Sequence, residues 1–198
     1  PKYSLYQTKK NKLIRELLNN QKLSKILASY NLSNKEFSTL NVNGSNLNMW
    51  MIKPDDFDPK KKYPLLMFQY SGPGSQQVSN RWGDSRTIWH KDLANKGYII
   101  ACVDGRGTGF KGAEFKKSTY LNLVKYESID QIEAAKSLGS LSYIDESRIG
   151  IWGWSFGGHM AAQCLLTGEE VFSMAIAVAP VTNWRFYDTI YTERFMRT

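Results

Sequence analysis

The rhythm of apolar and polar positions changes about a third of the way along this 198-residue chain. At the start, Tyr3-Ser4-Leu5-Tyr6 and Leu13-Ile14-Arg15-Glu16-Leu17 lie on either side of polar Lys9-Lys10-Asn11. Residues 1 to about 20 therefore predict a β-hairpin. One hairpin is marginal in water, so this one must pack on something else. Leu23, Ile26 and Leu27 then recur at helical spacing, which predicts a short helix from Asn20 to Tyr30. Two further strands, 37–42 and 47–52, surround Asn43-Gly44, a strong hairpin signal because both residues tolerate positive φ. The stretch from Pro54 to Pro59 reads as a loop.

Beyond that loop, strands and helices alternate. Strands are predicted at 65–70, 98–104, 148–152 and 172–179, and helices at 87–96, 127–138 and 158–166. The 127–138 helix carries Ile129, Ile132, Ala135 and Leu138 on one side. Such alternation implies a mainly parallel sheet with helices on both faces. Between the strand at 148–152 and its helix stands Gly153-Trp154-Ser155-Phe156-Gly157-Gly158. Small residues two before and two after Ser155 let strand and helix close around a tight turn that exposes Oγ to a nearby carbonyl. The bland reading is a glycine-rich turn whose serine merely caps the helix. An antiparallel start, parallel βα units and a serine turn after a later strand together make the α/β-hydrolase pattern.

Composition narrows the choice. The net charge of +8 comes from lysines scattered in small groups near turns. No zinc spacing or RNA-binding signature accompanies them, so a solvated surface is expected and nucleic acid is not. No run of 18 apolar residues predicts a membrane-spanning helix, and the start of the chain carries no visible signal peptide. Pro1 is an unusual natural start, and the chain reads as a piece of a longer polypeptide. Cys102 and Cys164 fall in apolar elements and read as buried free thiols. No metal-ligand cluster or phosphate loop is seen, so neither metal nor cofactor is expected.

Four segments sharpen the assignment: Tyr70-Ser71-Gly72-Pro73-Gly74-Ser75-Gln76, Val103-Asp104-Gly105-Arg106-Gly107-Thr108-Gly109, the serine turn, and Tyr187-Asp188-Thr189-Ile190-Tyr191-Thr192-Glu193-Arg194-Phe195. In this order they resemble the prolyl oligopeptidase family of serine peptidases, and within it the dipeptidyl peptidase IV branch. The resemblance covers nearly the whole chain. It implies that residues 1–20 end a preceding β-propeller and that 21–198 form the first part of the peptidase domain. It also implies roles. Ser155 would be the nucleophile, with the Phe156 amide and the Tyr70 hydroxyl as oxyanion donors worth roughly 3 kcal/mol each. Val181, Trp184, Tyr187 and Tyr191 would line the slot for the residue before the cut, with Tyr187 and Tyr191 on one helical face. Phe156 departs from the branch, which commonly has tyrosine there, so any hydroxyl contact from this position is lost. Asp104 and Arg106 read as loop-shaping.

A serine nucleophile needs a base and an orienting carboxylate. The chain has two histidines, His90 and His159. His159 sits four residues along the helix after Ser155 and would be carried away from Oγ. The order His90, Asp104, Ser155 belongs with a two-barrel all-β fold, which the βα alternation contradicts. In α/β-hydrolases the acid and then the histidine follow the serine, so both are expected after Thr198. The reading is then an exopeptidase that releases X-Pro, and less well X-Ala, from peptides with a free amino terminus. Alternatives are an acylaminoacyl or tripeptidyl peptidase or an esterase on the same fold, or a non-catalytic relative acting as a binding partner. The resemblance further implies a possible homodimer and, for a bacterial member, the periplasm or cell surface.

Overall fold

A computed structural model of the protein describes residues 2–30, 32–81, 83, 85–168 and 170–197. Strands β1 (Tyr3–Gln7) and β2 (Lys12–Leu18) pair antiparallel as a two-stranded sheet of their own. Every residue in both strands is exposed, Tyr3, Leu5, Leu13 and Leu17 included, so the hairpin buries no face. Helix α1 (Gln21–Ala28) follows and likewise buries nothing.

The main sheet has six strands: β3 (Glu36–Val42), β4 (Ser45–Ile52), β5 (Tyr63–Phe68), β6 (Ile99–Asp104), β7 (Ile144–Trp154) and β8 (Met174–Val178). Their order is β3-β4-β6-β5-β7-β8. β3 and β4 meet at Asn43 (φ 48°) and Gly44 (φ 79°), the two positive values that a two-residue hairpin turn demands. The β3–β4 and β4–β6 pairs are antiparallel, and every later pair is parallel.

Helices α2 (Ser85–Asn95), α3 (Gly112–Lys117), α4 (Lys125–Gly139) and α5 (Phe156–Thr167) fill the connections. Successive side chains of β4 point to opposite faces and so feed two cores. Met49 and Met51 join Leu65, Met67, Ile99, Ala101 and Ile151 against Ala134, Ala135 and Leu138 of α4 and Met160, Ala161 and Cys164 of α5. Trp50 and Ile52 join Leu66, Phe68, Ile100, Cys102 and Trp152 against Ala94 of α2. The sheet is thus covered on both faces, and the α/β-hydrolase expectation holds. Cys102 and Cys164 are free and buried, and burial pushes the Cys164 thiol up to about 12.

Two expectations need correction. On α4, Ala135 and Leu138 of the predicted apolar side are buried and Ile132 packs on the core, but in the first half of the helix Ile129 is exposed, while Glu127, Asp130 and Gln131 are buried. This end of the helix lies under polar loops, so polar partners decide its rotation. β5 ends at Phe68, which leaves Tyr70 two residues beyond the strand.

The chain runs from β5 to β6 on one side, then crosses to β7 on the other. A crevice opens where such connections diverge, at the carboxyl ends of the strands. Tyr70 lies just past the end of β5, and Ser155 directly follows β7.

Candidate active site

Ser155 joins β7 to α5 with φ 58° and ψ −116°, a conformation that costs a non-glycine residue about 1–3 kcal/mol. The main chain holds it there from both sides. Its N–H donates to the Val178 carbonyl at 2.9 Å, and its own carbonyl accepts from the His159 N–H at 3.0 Å. The flanking glycines are needed for contact. A Cβ on Gly153 or on Gly157 would lie 2.6 Å from the Gln69 carbonyl oxygen, and one on Gly158 2.6 Å from that of Val178. The ends of β5 and β8 therefore press directly on the turn. Among the described residues, the Ser155 hydroxyl has no hydrogen-bond partner, and it is half-buried.

The Phe156 side chain is buried, while its N–H opens α5 and so has no carbonyl one turn back inside the helix. The Tyr70 ring lies 6.1 Å from the Phe156 ring and against Gly72, where a side chain would collide with it. Burial, and then Tyr187, raise the Tyr70 hydroxyl above its ordinary value of 10.0, so it stays protonated and able to donate.

Beyond β8, Val181 is buried, and a single 3-10 turn (Trp184–Phe186) leads to helix α6 (Thr189–Met196). Asn183 caps the turn, accepting from the Arg185 N–H at 2.9 Å, and Asp188 caps α6, accepting from the Tyr191 N–H at 2.8 Å. Tyr187 thus precedes α6 and shares no helical face with Tyr191. Their rings nonetheless meet edge to face at 5.6 Å. Trp184 stacks on Tyr191 and lies 5.5 Å from Phe156, so Tyr70, Phe156, Trp184, Tyr187 and Tyr191 form one continuous aromatic wall. Two members were not anticipated. Phe195 packs on Tyr191 at 4.8 Å, and His159 lies 5.7 Å from Trp184. The His159 Nδ1–H donates to the Val181 carbonyl. The loop before α4 ties down α6, through Leu121 N–H to the Phe195 carbonyl at 2.9 Å and Arg197 Nε to the Tyr120 hydroxyl at 2.8 Å.

The other polar candidates are engaged elsewhere. His90 Nε2 accepts from Trp152 Nε1 at 3.1 Å, buried among aromatic rings on the α2 face. The Asp104 carboxylate accepts from the N–H groups of Gln77 and Val78, at 3.0 and 2.8 Å; burial nevertheless pushes it up to about 6. Arg106 donates to buried Asp130 at 2.7 Å. Both therefore shape loops, and His90, Asp104 and Ser155 do not form a triad. Glu127 is fully buried. Neither of its oxygens has a well-formed hydrogen bond, although Thr119 and nearby amides lie close, and burial pushes it up to about 7. A cavity of about 590 Å³ between α1, β3 and α2 touches none of the aromatic wall. Among the described residues, no three His, Cys, Asp or Glu side chains are grouped to hold a metal ion, and no helix is long and apolar enough to cross a membrane.

Residues 85–198 match the prolyl oligopeptidase family. A probable dipeptidyl-aminopeptidase B of Arthroderma benhamiae is 47% identical over 179 residues, which is 89% of this chain and 19% of the relative. One from Penicillium rubens is 46% identical over 181 residues, 90% of this chain and 20% of the relative. The crystal structure of Porphyromonas gingivalis dipeptidyl peptidase 4 covers the whole chain with a TM-score of 0.93 and 50% identity. A putative dipeptidyl aminopeptidase IV from Bacteroides ovatus does so at 0.87 and 35%. The chain spans about a fifth of these curated relatives and 28% of each solved structure.

Proposed function

This chain belongs to the prolyl oligopeptidase family, and from that premise we propose that it carries the nucleophile side of a serine exopeptidase site releasing X-Pro, and less readily X-Ala, dipeptides. The observation that supports this most is the convergence of Ser155, Tyr70 and the Trp184–Tyr191 wall at one sheet switch point. The dipeptidyl peptidase names of the relatives point the same way.

In this reading, Ser155 Oγ attacks the carbonyl carbon of the penultimate residue and forms an acyl-enzyme while the amine of the remaining peptide leaves. Negative charge develops on the carbonyl oxygen. The Phe156 N–H, fixed at the start of α5, and the neutral Tyr70 hydroxyl donate to it. Val181, Trp184, Tyr187 and Tyr191 form a flat-walled slot that suits a proline ring, with alanine filling it less well. His90 lies buried among aromatic rings on the α2 face. The proton leaving Ser155 would pass to a base outside the described residues, which returns it to the leaving amine; water then hydrolyses the acyl-enzyme and frees the dipeptide. Residues 1–20 would close a preceding β-propeller, and 21–198 would begin the peptidase domain. The separate, fully exposed β1–β2 sheet supports that division. The substrate is a peptide with a free amino terminus, and the assembled enzyme would be a homodimer.

The test is hydrolysis of a Gly-Pro chromogenic amide by the longest natural form of the polypeptide, with Ser155→Ala as control. Release of the dipeptide, lost in the variant, is expected. Release that survives Ser155→Ala would refute the assignment.

A further inference from the structure

A buried chain of amides and one hydroxyl runs beneath Tyr70. Gln69, Ser71 and Gln131 are each no more than 2% exposed. Gln69 Nε2 donates to the Gly157 carbonyl at 2.7 Å, and a carbonyl can only accept, so the orientation of this amide is fixed. Gln69 Oε1 then faces Ser71 Oγ, which donates to it at 3.1 Å. Gln131 Nε2 reaches Ser71 Oγ at a long 3.4 Å, and donates at 2.9 Å to the Val103 carbonyl in β6. The main chain adds a bond from Gln69 N–H to the Trp152 carbonyl at 3.1 Å. Both neighbours of Tyr70 in sequence are thereby tied to α5, α4 and the inner strands.

An apolar side chain could fill this space without the cost of drying an amide. What the amide adds is direction. Ser71 is held at φ 62°, a value that persists in a non-glycine residue only when its surroundings impose it. Gly157, the acceptor of the Gln69 amide, is next to Phe156 in α5, and Gln69 is next to Tyr70. One hydrogen bond therefore links the two main-chain segments that carry the proposed oxyanion donors. Resting on that reading of Tyr70 and Phe156, we propose that Gln69 is a positioning residue that fixes the separation between the Tyr70 hydroxyl and the Phe156 N–H. Ser71 and Gln131 brace it from behind. The residues proposed to line the slot, Val181, Trp184, Tyr187 and Tyr191, lie beyond β8 and touch Tyr70 and Phe156 only at one end of the aromatic wall, so this bond should affect substrate affinity much less than rate.

The experiment uses the longest natural form of the polypeptide with Gln69→Met, Ser71→Ala, Tyr70→Phe and the doubles of each with Tyr70→Phe. Each variant is measured for Tm, for the rate of labelling by a fluorophosphonate, and for kcat and KM on a Gly-Pro amide. Gln69→Met keeps the volume and removes the side-chain hydrogen bonds to Gly157 and Ser71, leaving the main-chain bond to Trp152 in place. It is expected to lower kcat and labelling rate about tenfold, with KM changed less than about twofold, since a small misplacement near the reacting atoms is enough for such a loss. In the Tyr70→Phe background the same substitution should cost little more, because the donor it positions is already gone. Equal losses in both backgrounds, a loss confined to KM, or no loss would overturn the proposal. Should Gln69→Met fail to fold, Ser71→Ala decides by the same comparison, with a smaller loss expected that likewise disappears in Tyr70→Phe. A wild-type protein that labels but does not cleave Gly-Pro amides would remove the dipeptidyl reading, while the labelling rates still decide on Gln69. A wild-type protein that does not label would overturn both.

Discussion

Trp184 lies flat on Tyr191, with 5.8 Å between ring centroids and 5° between planes. The two residues belong to different elements, the 3-10 turn and α6, so their stacking sets the spacing of the aromatic wall. Trp184→Ala removes one leaf of the stack. The expected result is a fall in kcat/KM for Gly-Pro amides of about 10- to 200-fold, the range for losing one apolar pocket contact, with a smaller fall for Gly-Ala amides. Equal losses for both substrates would mean that Trp184 does not shape the slot.

Gly157 marks where β5 and the serine turn touch. A Cβ there would meet the Gln69 carbonyl oxygen at 2.6 Å and Tyr70 Cα at 3.1 Å, both main-chain atoms that cannot rotate away. Gly157→Ala should therefore destabilise the protein by about 1–3 kcal/mol, as overpacking does, and reduce activity as the Tyr70 segment is pushed aside. Chemical denaturation of the variant beside wild type measures this, and unchanged stability with full activity would disprove the close approach.

Tyr70→Phe isolates the hydroxyl. Loss of one oxyanion donor should lower kcat by about 10²- to 10³-fold and leave KM nearly unchanged. Because burial raises this hydroxyl above 10.0, wild-type activity should show no alkaline limb from Tyr70 below that pH. A large KM effect would instead identify Tyr70 as part of the binding slot.

Glu127 gives stability a pH dependence. Its carboxyl is moved from an ordinary 4.5 up to about 7, first by burial and further by Asp130, against the opposing amides of Glu127 and Val124 and the Thr119 hydroxyl. The folded state therefore binds its proton more tightly than the unfolded chain does. The resulting stability is fully present below pH 4.5 and is lost as pH rises toward 7, by on the order of 3 kcal/mol. Relative to Glu127→Gln, the wild-type Tm should fall across that window and run parallel outside it. Parallel curves throughout would show that Glu127 is not held neutral.

The parts of this fold that were legible in the sequence are those whose residues repeat a simple rule. Ile99 to Val103 is an unbroken apolar run, as a strand buried on both faces must be. The small residues around Ser155 announced the turn because close main-chain approach admits little else. The polar inward face of α4 was hidden, since Asp130 and Gln131 are buried against Arg106 and the Val103 carbonyl, 24 and 28 residues away, and not by periodicity. The gap between Tyr187 and α6 had a visible signal in Asp188, a good N-cap, but the four-residue spacing of the tyrosines suggested one helix instead. The Gln69–Gly157 bond spans 88 residues and follows no pattern that local reading can find.

The most direct test of the central claim compares a Gly-Pro chromogenic amide with its N-acetylated twin on the longest natural form of the polypeptide. Ser155→Ala serves as the control. Cleavage of the free-amine substrate alone, abolished by the substitution, is the predicted result. Cleavage of the blocked substrate at a similar rate, or of neither, would contradict a dipeptidyl peptidase built around Ser155.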